Sequence, residues 1–293
     1  MYAVSAYGTD FEGNADQPAN RRGLEALNLD KFREVAIVQA PAVSGPILKA
    51  VIKHCEKNRY RFAVIDSEAN SAVPLNLDPR NDNDTRCAGF YYPWIYVSDP
   101  RTGARTKVPP GGYMCGIYSR SDNSRGVWKA PANETVAGAL DLEFEIDQVS
   151  QEILKPRGVN VIRRFPGRGI RVWGARTLSS DPLWKYVSVR RLFIFLEASI
   201  DRSTQWVVFE PNDQRLWARV KQTVTLFLCT QWREGALFGA KEEEAFSVAV
   251  GHETMTEDDI LNGRLIIEIS IAPIRPAEFV IFRIHQKTQE AKS

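Results

Sequence analysis

The chain has 293 residues, 44% hydrophobic and 25% charged, which supplies a sizeable core for one large domain or two ordinary ones. Lys+Arg 38 against Asp+Glu 36 leaves a formal net charge of +2, too small a surplus to draw nucleic acid or an anionic membrane through a whole-molecule field. Cys55, Cys87, Cys115 and Cys229 stand far apart with no Cys-x-x-Cys pair, so neither a zinc site nor a disulfide framework is signalled, and free buried thiols are expected.

The N-terminal stretch MYAVSAYGTDFEGNADQ lacks a basic start followed by an apolar core, and so does not read as a secretory signal. Apolar runs such as LFIFLEASI are cut by Glu197 well short of a bilayer span, which predicts no membrane insertion. Synthesis and assembly in the cytoplasm are the expectation. REVAIVQAP (33–41) predicts a short buried strand stopped by proline, and GPILKAVIKHCEKNRYR follows with Ile47, Val51, Ile52 and Cys55 at helical spacing. RFAVIDSEA adds a β-branched run ending at Asp66, which completes a strand-helix-strand unit of a parallel sheet. FYYPWIYVSDP (90–100) predicts one further aromatic strand, and the polar NSAVPLNLDPRNDNDTRCAG a surface excursion.

From about Asp141 the pattern changes, and Gly158, Gly167, Gly169 and Gly174 punctuate short strands up to a boundary near Ser180 and Asp181. YVSVRRLFIFLEASIDR places Val189, Leu192, Phe193, Leu196 and Ile200 on one helical face. Asn212 is placed to cap a second helix with Leu216, Val220, Thr223, Val224 and Phe227 inward, Arg215 and Arg219 outward, and Gly235 at its stop. Thr256 and Asp259 predict a capped turn before GRLIIEISIAP, whose Leu265, Ile267, Ile269 and Ile271 alternate as in a half-buried strand. Pro273 and Pro276 then flank an extended PIRP hinge. Beyond it EFVIFRIHQKT reads as a strand with Val280, Phe282 and Ile284 on one face and Phe279 and Ile281 on the other. Left unpaired, such a strand is an aggregation hazard, so a partner sheet is expected.

Enzyme chemistry finds little support. His54 lies mid-helix beside Cys55, His252 in a strand-exit loop and His285 in the terminal strand, and there is no Gly-x-Ser-x-Gly elbow. GRGIRVWG (167–174) misses the dinucleotide spacing and reads as a tight turn between strands, while KEEEAF (241–246) reads as a solvated loop rather than a metal site. The stretch RGVWKAPANET (125–135) joins a glycine turn, a tryptophan and an Ala-Pro-Ala-Asn break with no pair of chemically competent groups.

In order along the chain, RGLEALN, HCEKNRYRFAVID, YYPWIYVSDP, VPPGGYMCGIYSRSDNSRGVWKAPANE, VNVIRRFPGRGIRVWGARTL, WKYVSVRRLFIFLEASI, VFEPNDQRLWARV and GRLIIEISIAPIRPAEFVIFRI resemble the contractile tail sheath proteins of bacteriophages and related extracellular contractile injection systems. The resemblance runs from about Arg21 to Ile284. It implies an α/β fold: a subtilisin-like parallel-sheet domain without a catalytic triad over 21–180, then an α+β C-terminal sheath domain over 181–293. Residues 1–20 form a divergent segment that does not match the family's Pro-Gly-Val-Tyr-like N-terminal arm. It further implies a structural subunit, not an enzyme and without a cofactor, that polymerises around an inner tube and contracts to drive it through a target envelope. The partners so implied are neighbouring sheath subunits, sheath paralogues, the inner tube protein, and baseplate and tail terminator proteins. A non-contracting docking or baseplate-associated paralogue is the alternative. The segment 277–288 corresponds to a terminal arm exchanged between subunits, with Glu278, Phe279, Val280, Ile281, Phe282, Arg283 and Ile284 at the subunit interface. Arg215 and Arg219 are expected against the tube. Lys129 and Arg125 are candidates for ion pairs across a subunit boundary, and Trp128 for a large anchoring surface.

Overall fold

The computed structural model describes residues 11–13, 21–71 and 76–279. Strand β1 (Ile37–Gln39), helix α1 (Gly45–Lys57) and strand β2 (Phe62–Asp66) form the expected parallel unit, with β1 and β2 in parallel register. Val51, Ile52, His54 and Cys55 make the inner face of α1. A short helix α2 (Pro79–Asp82), capped by Asp78, interrupts the polar excursion before β3 (Ala88–Tyr92). All five residues of β2 and all five of β3 are buried, as in a parallel sheet covered on both faces.

The aromatic run 90–100 is two strands rather than one. Pro93, which has no N–H to give a ladder, separates β3 from β4 (Ile95–Ser98), and β4 leaves for another sheet. There it pairs antiparallel with β5 (Arg105–Val108). The stretch Pro109, Pro110, Gly111, Gly112 opens helix α3 (Gly111–Arg125). The Gly111 amide donates to buried Asp66 Oδ1 at 2.5 Å, and a Cβ there would lie 2.7 Å from both that oxygen and Gln39 Nε2. Only glycine allows helix and sheet to approach so closely. Gly126 ends α3 with φ +94°, and the Trp128 ring folds onto it.

Next come β6 (Glu134–Thr135), β7 (Ala139–Leu142), which pairs with β4, and helix α4 (Gln148–Leu154), capped by Asp147. Strands β8 (Val159–Phe165) and β9 (Gly169–Val172) form a hairpin whose turn contains Gly167 at φ +70°; the 167–174 stretch, expected as a tight turn, is a turn only at its start and then becomes β9 itself. The principal sheet runs β1-β2-β3-β8-β9-β6, parallel up to β8 and antiparallel thereafter, beside the three-stranded sheet β5-β4-β7.

Helix α5 (Val187–Ser203) follows. Its Val187 and Ile194 join the cluster of Phe62, Tyr91 and Tyr118, while Leu192 and Leu196 join a separate cluster with Leu216 and Val220. The helix therefore belongs to two cores. The expected single apolar face is too simple, because Arg190 and Arg191 are buried with it. Arg191 makes a bidentate pair with Asp122 of α3 at 2.9 and 2.5 Å, and Arg190 Nη2 donates to the Arg59 carbonyl at 2.8 Å.

Helix α6 (Gln214–Arg233) is capped by Asp213 instead of Asn212: the Asp213 carboxylate accepts from the amides of Arg215 and Leu216 at 3.0 and 2.9 Å. Asn212 instead accepts from Trp217 Nε1 at 2.7 Å and donates to the Arg264 carbonyl. Leu216, Val220 and Val224 are buried as predicted, with Thr223 and Phe227 half-buried. The three glutamates expected in a loop open a short helix α7 (Glu242–Ala245), because Ala245 is buried at its end. Strand β10 (Phe246–Val250) and strand β11 (Ile267–Ile271) pair antiparallel, with helix α8 (Glu257–Leu261) between them behind a Thr256–Asp259 capping box.

Candidate assembly surfaces

Past β11 the chain runs back beside α6 and α7: the Phe238 amide donates to Ala272 O at 2.8 Å and Pro273 bridges Leu237. The PIRP stretch then carries it to the region around α4, β9 and the start of α5. Glu278 ends that path in a clamp. Its carboxylate accepts from Arg176 Nε at 2.9 Å and Nη2 at 2.6 Å and from Tyr186 Oη at 3.2 Å, with Lys185 Nζ at 3.2 Å and Lys155 Nζ at 3.6 Å. Arg176 is fixed by Asn160, whose side chain accepts from the Arg176 amide at 2.6 Å and donates to its carbonyl at 2.8 Å. Burial alone pushes the Glu278 carboxyl up, but the hydrogen bonds and charge of Arg176, joined by Lys155 and Lys185, hold it down at about 2.

Glu278, expected in the exchanged arm, is thus held within its own chain. Phe279 is 68% exposed with Lys155 Nζ 4.1 Å from its ring centre. Val280, Ile281, Phe282, Arg283 and Ile284, and the rest of the arm to Thr288, lie outside the described residues. No signal in the sequence announces the clamp, because its charges come from positions 155, 176, 185 and 278.

The second expected surface is the outward face of α6. Arg215 and Arg219 are both exposed, and the Arg219 guanidinium lies 4.5 Å from the Trp206 ring centre, in the loop between α5 and α6. Two residues past Arg219, Lys221 Nζ lies 3.8 Å from Glu253 Oε1. In the 125–135 stretch, Lys129 Nζ donates to Glu134 Oε1 at 2.8 Å and to Ala132 O at 2.9 Å, so its pair lies within the chain. Trp128 packs half-buried against the second core, and Arg125 is exposed.

The histidines have other company than a nucleophile. His54 Nε2 sits 2.7 Å from Arg61 Nη1, and burial followed by the Arg61 charge lowers its pKa to about 4. His252 stands edge-on to Trp217 at 4.9 Å, and His285 lies outside the described residues. Among the described residues no group of three or more His, Cys, Asp or Glu side chains is placed to hold a metal ion, and no helix is long and apolar enough to cross a membrane. Burial pushes the Cys55 and Cys115 thiols up to about 12, so both are poor nucleophiles.

Residues 16–178 match the phage tail sheath protein central domain, and residues 179–287 the phage tail sheath C-terminal domain. The chain belongs to the phage tail sheath family. A putative prophage major tail sheath protein of Pseudomonas aeruginosa is 25% identical over 94% of this chain and 72% of its own length. The sheath complex of an extracellular contractile injection system, PVC, in its contracted state is 36% identical, with a TM-score of 0.79 over 92% of this chain and 73% of that one. A chain of the anti-feeding prophage baseplate is 35% identical, with a TM-score of 0.77 over 90% of this chain and 71% of that one.

Proposed function

We propose that this chain is a structural subunit of a contractile sheath, polymerising around an inner tube and contracting to drive the tube through a target envelope. The likeness that carries the reading is the match over 92% of the chain to a sheath complex in the contracted state. On this reading the six-stranded unit is a subtilisin-like domain without catalytic machinery, the boundary falls near Ser180, and the clusters flanking α5 hold the two units together as the subunit moves. The subunit is assembled in the cytoplasm and forms part of a virion tail or a released particle. It contacts neighbouring sheath subunits, the tube, a terminator and a baseplate, the last supported by the likeness to a baseplate chain.

The terminal arm is donated to a neighbour from Val280 onward, downstream of the Glu278 clamp and the PIRP hinge. Among the described residues strands β10 and β11 pair only with each other, each leaving one edge without a strand partner, and such an edge accepts a strand through main-chain hydrogen bonds. Heterologous contacts of this kind build open helical assemblies. Arg215 and Arg219 face an acidic tube. A cut at Ala277 would also remove Glu278, so the informative truncation ends at Phe279. That protein is expected to stay folded and soluble while ordered tubes disappear from negative-stain images; normal tubes would refute the exchange. Arg215→Glu with Arg219→Glu is expected to weaken co-sedimentation with assembled tube, most at low salt.

A further inference from the structure

The cations that hold Glu278 are kept in place by contacts that do not involve it. The stretches 175–177 and 185–187 run antiparallel: the Val187 amide donates to Ala175 O at 3.0 Å, the Thr177 amide to Lys185 O at 2.9 Å, and Arg176 bridges Tyr186. Asn160 of β8 grips both main-chain groups of Arg176, and Arg176 Nη1 donates to Lys155 O at 3.2 Å. The segment that carries Glu278 is held far less firmly. Among the described residues the last main-chain hydrogen bond before it runs from the Ile274 amide to Ala236 O at 3.3 Å, and none holds 275–279. Arg275, Ala277 and Phe279 are exposed. Apart from Lys155 against the Phe279 ring, the polar ties of 275–279 are those of the Glu278 carboxylate.

The charges of the clamp do not balance. One carboxylate meets three cations, and among the described residues Arg176, Lys155 and Lys185 are paired with no other acid. Asp78 and Asp84, whose charges act on neighbouring Arg80, are committed elsewhere: Asp78 caps α2 and Asp84 accepts from the Ser180 amide at 2.9 Å. Burial lowers the Lys155 pKa; Glu278 opposes that, and the like charges of Arg176 and Lys185 add to it.

We infer that Arg176, Lys155, Lys185 and Tyr186 form a carboxylate-binding socket in which Glu278 is an exchangeable occupant. A planar anion with two oxygens fits it. Arg176 presents Nε and Nη2 to the two oxygens of one carboxylate, Tyr186 adds a hydroxyl donor, and each ammonium group meets one oxygen. The two surplus positive charges attract an outside carboxylate, and Lys185, with a side chain 30% exposed, gives it access. An outside carboxylate that takes the seat leaves 275–279 without its ties, so the socket couples anion binding to release of that segment. The inference concerns the single chain and does not depend on strand donation.

The test removes the occupant and offers its equivalent. Glu278→Ala deletes a methylene and a carboxylate, which is the acetate ion less one hydrogen, so acetate is the probe. The full chain, Glu278→Ala, and Glu278→Ala with Arg176→Met are melted in sodium acetate and in sodium chloride of the same strength, the parent's difference between the salts giving the general salt effect. Acetate at about 0.3 M is expected to raise the midpoint of Glu278→Ala by about 2 °C or more beyond that difference. The double variant is expected to show no such gain, and neutral acetamide is expected to give none in any of the three. Equal midpoints of Glu278→Ala in the two salts, after the parent's difference is subtracted, would overturn the socket. A gain that persists in the double variant would also overturn it, by placing acetate elsewhere. If Glu278→Ala does not fold in chloride, recovery of folded protein in acetate supports the socket; an unfolded chain in both salts overturns it, since the walls would then not stand without Glu278.

Discussion

The two sheet-bearing halves of the molecule are completed to different degrees. In the six-stranded sheet the inner strands β2 and β3 bury every residue, and Phe62, Ala63, Tyr91 and Tyr92 have no exposed surface. In the two-stranded sheet no residue of β11 is fully buried: half-buried Ile267, Ile269 and Ile271 alternate with exposed Glu268 and Ser270. Those isoleucines border an open groove of about 520 Å³ shared with Leu196, Ile200 and Leu228 of α5 and α6. Both halves contain strands, helices and isoleucine-rich runs, yet among the described residues one finishes its core with its own chain and the other leaves strand edges and an apolar flank uncovered. A two-stranded sheet is marginal alone, so the second half depends on α6 beneath it and, in an assembly, on what neighbours add.

The sharpest test of that contrast truncates one apolar side chain in each sheet. Phe62→Ala is expected to cost about 3–5 kcal/mol, because the ring is enclosed beside Tyr118 and the site has no solvent-facing side through which to relax. Ile269→Ala in the half-buried strand is expected to cost less than about 2 kcal/mol in the isolated subunit. Urea midpoints of both variants decide it, and equal losses would remove the distinction.

The next largest effect lies at the seam between the halves. Glu278→Ala leaves Arg176, with a side chain 10% exposed, beside Lys155 and Lys185 without their acid, and is expected to cost about 3 kcal/mol. Pairing it with Arg176→Met should recover part of that loss, since a lone buried cation is worse than none; purely additive losses would show that the clamp is not one unit.

Smaller still is the pH response, in which two buried groups of the first half oppose each other. Asp66 accepts from Gln39 Nε2 and the amides of Ala42 and Gly111, but burial raises its carboxyl to about 6. Its contribution is full below the unfolded value near 4 and is lost as pH rises through 6. His54, lowered to about 4, acts the other way: below its unfolded value near 6.5 the unfolded chain takes up the proton and stability falls. Between pH 7 and 5 Asp66 gains and His54 loses about 1–2 kcal/mol each, so they largely cancel. Below about 4.5 Glu278 adds its own loss on the way to pH 2. Wild-type urea midpoints should therefore be flat from pH 7 to 5, then drop. Asp66→Asn should instead lose stability steadily over the flat range, and a flat variant would contradict the opposition.

What could be read from residue order follows the same division. Val51, Ile52 and Cys55 recur at helical spacing because one face of α1 meets the sheet, and Thr256 with Asp259 announces its own cap; both are local patterns that local structure obeys. The split at Pro93 was hidden because aromatics continue on both sides of it. Helix α3 was hidden because Gly111, Gly112 and Gly116 with a polar second half give no apolar stripe, although Met114, Ile117 and Tyr118 are buried. Buried Arg190 and Arg191 look like surface residues until Asp122 and the Arg59 carbonyl are brought to them by distant parts of the chain. The Glu278 clamp was illegible for that reason as well. Of the expected interface residues, Arg215 and Arg219 are legible as one exposed stripe because helix periodicity sets them one turn apart, beside and not under the Leu216 and Val220 stripe.

The smallest effect probes the contrast without any substitution. Amide hydrogen exchange reports local opening, which is easiest where backbone hydrogen bonds face solvent and few apolar contacts must be broken. In the isolated subunit, amides of β10 and β11 are expected to exchange before those of β2 and β3, by about tenfold or more, since among the described residues the former pair only with each other and the latter lie inside a sheet covered on both faces. In assembled sheath the β2 and β3 amides should hardly change, while β11 should gain protection, because a strand added at its free edge occupies the donors and acceptors now open. Uniform protection in the isolated subunit would mean that the second half is already complete. Protection gained equally in both halves would mean that assembly rigidifies the whole chain instead of finishing one part of it.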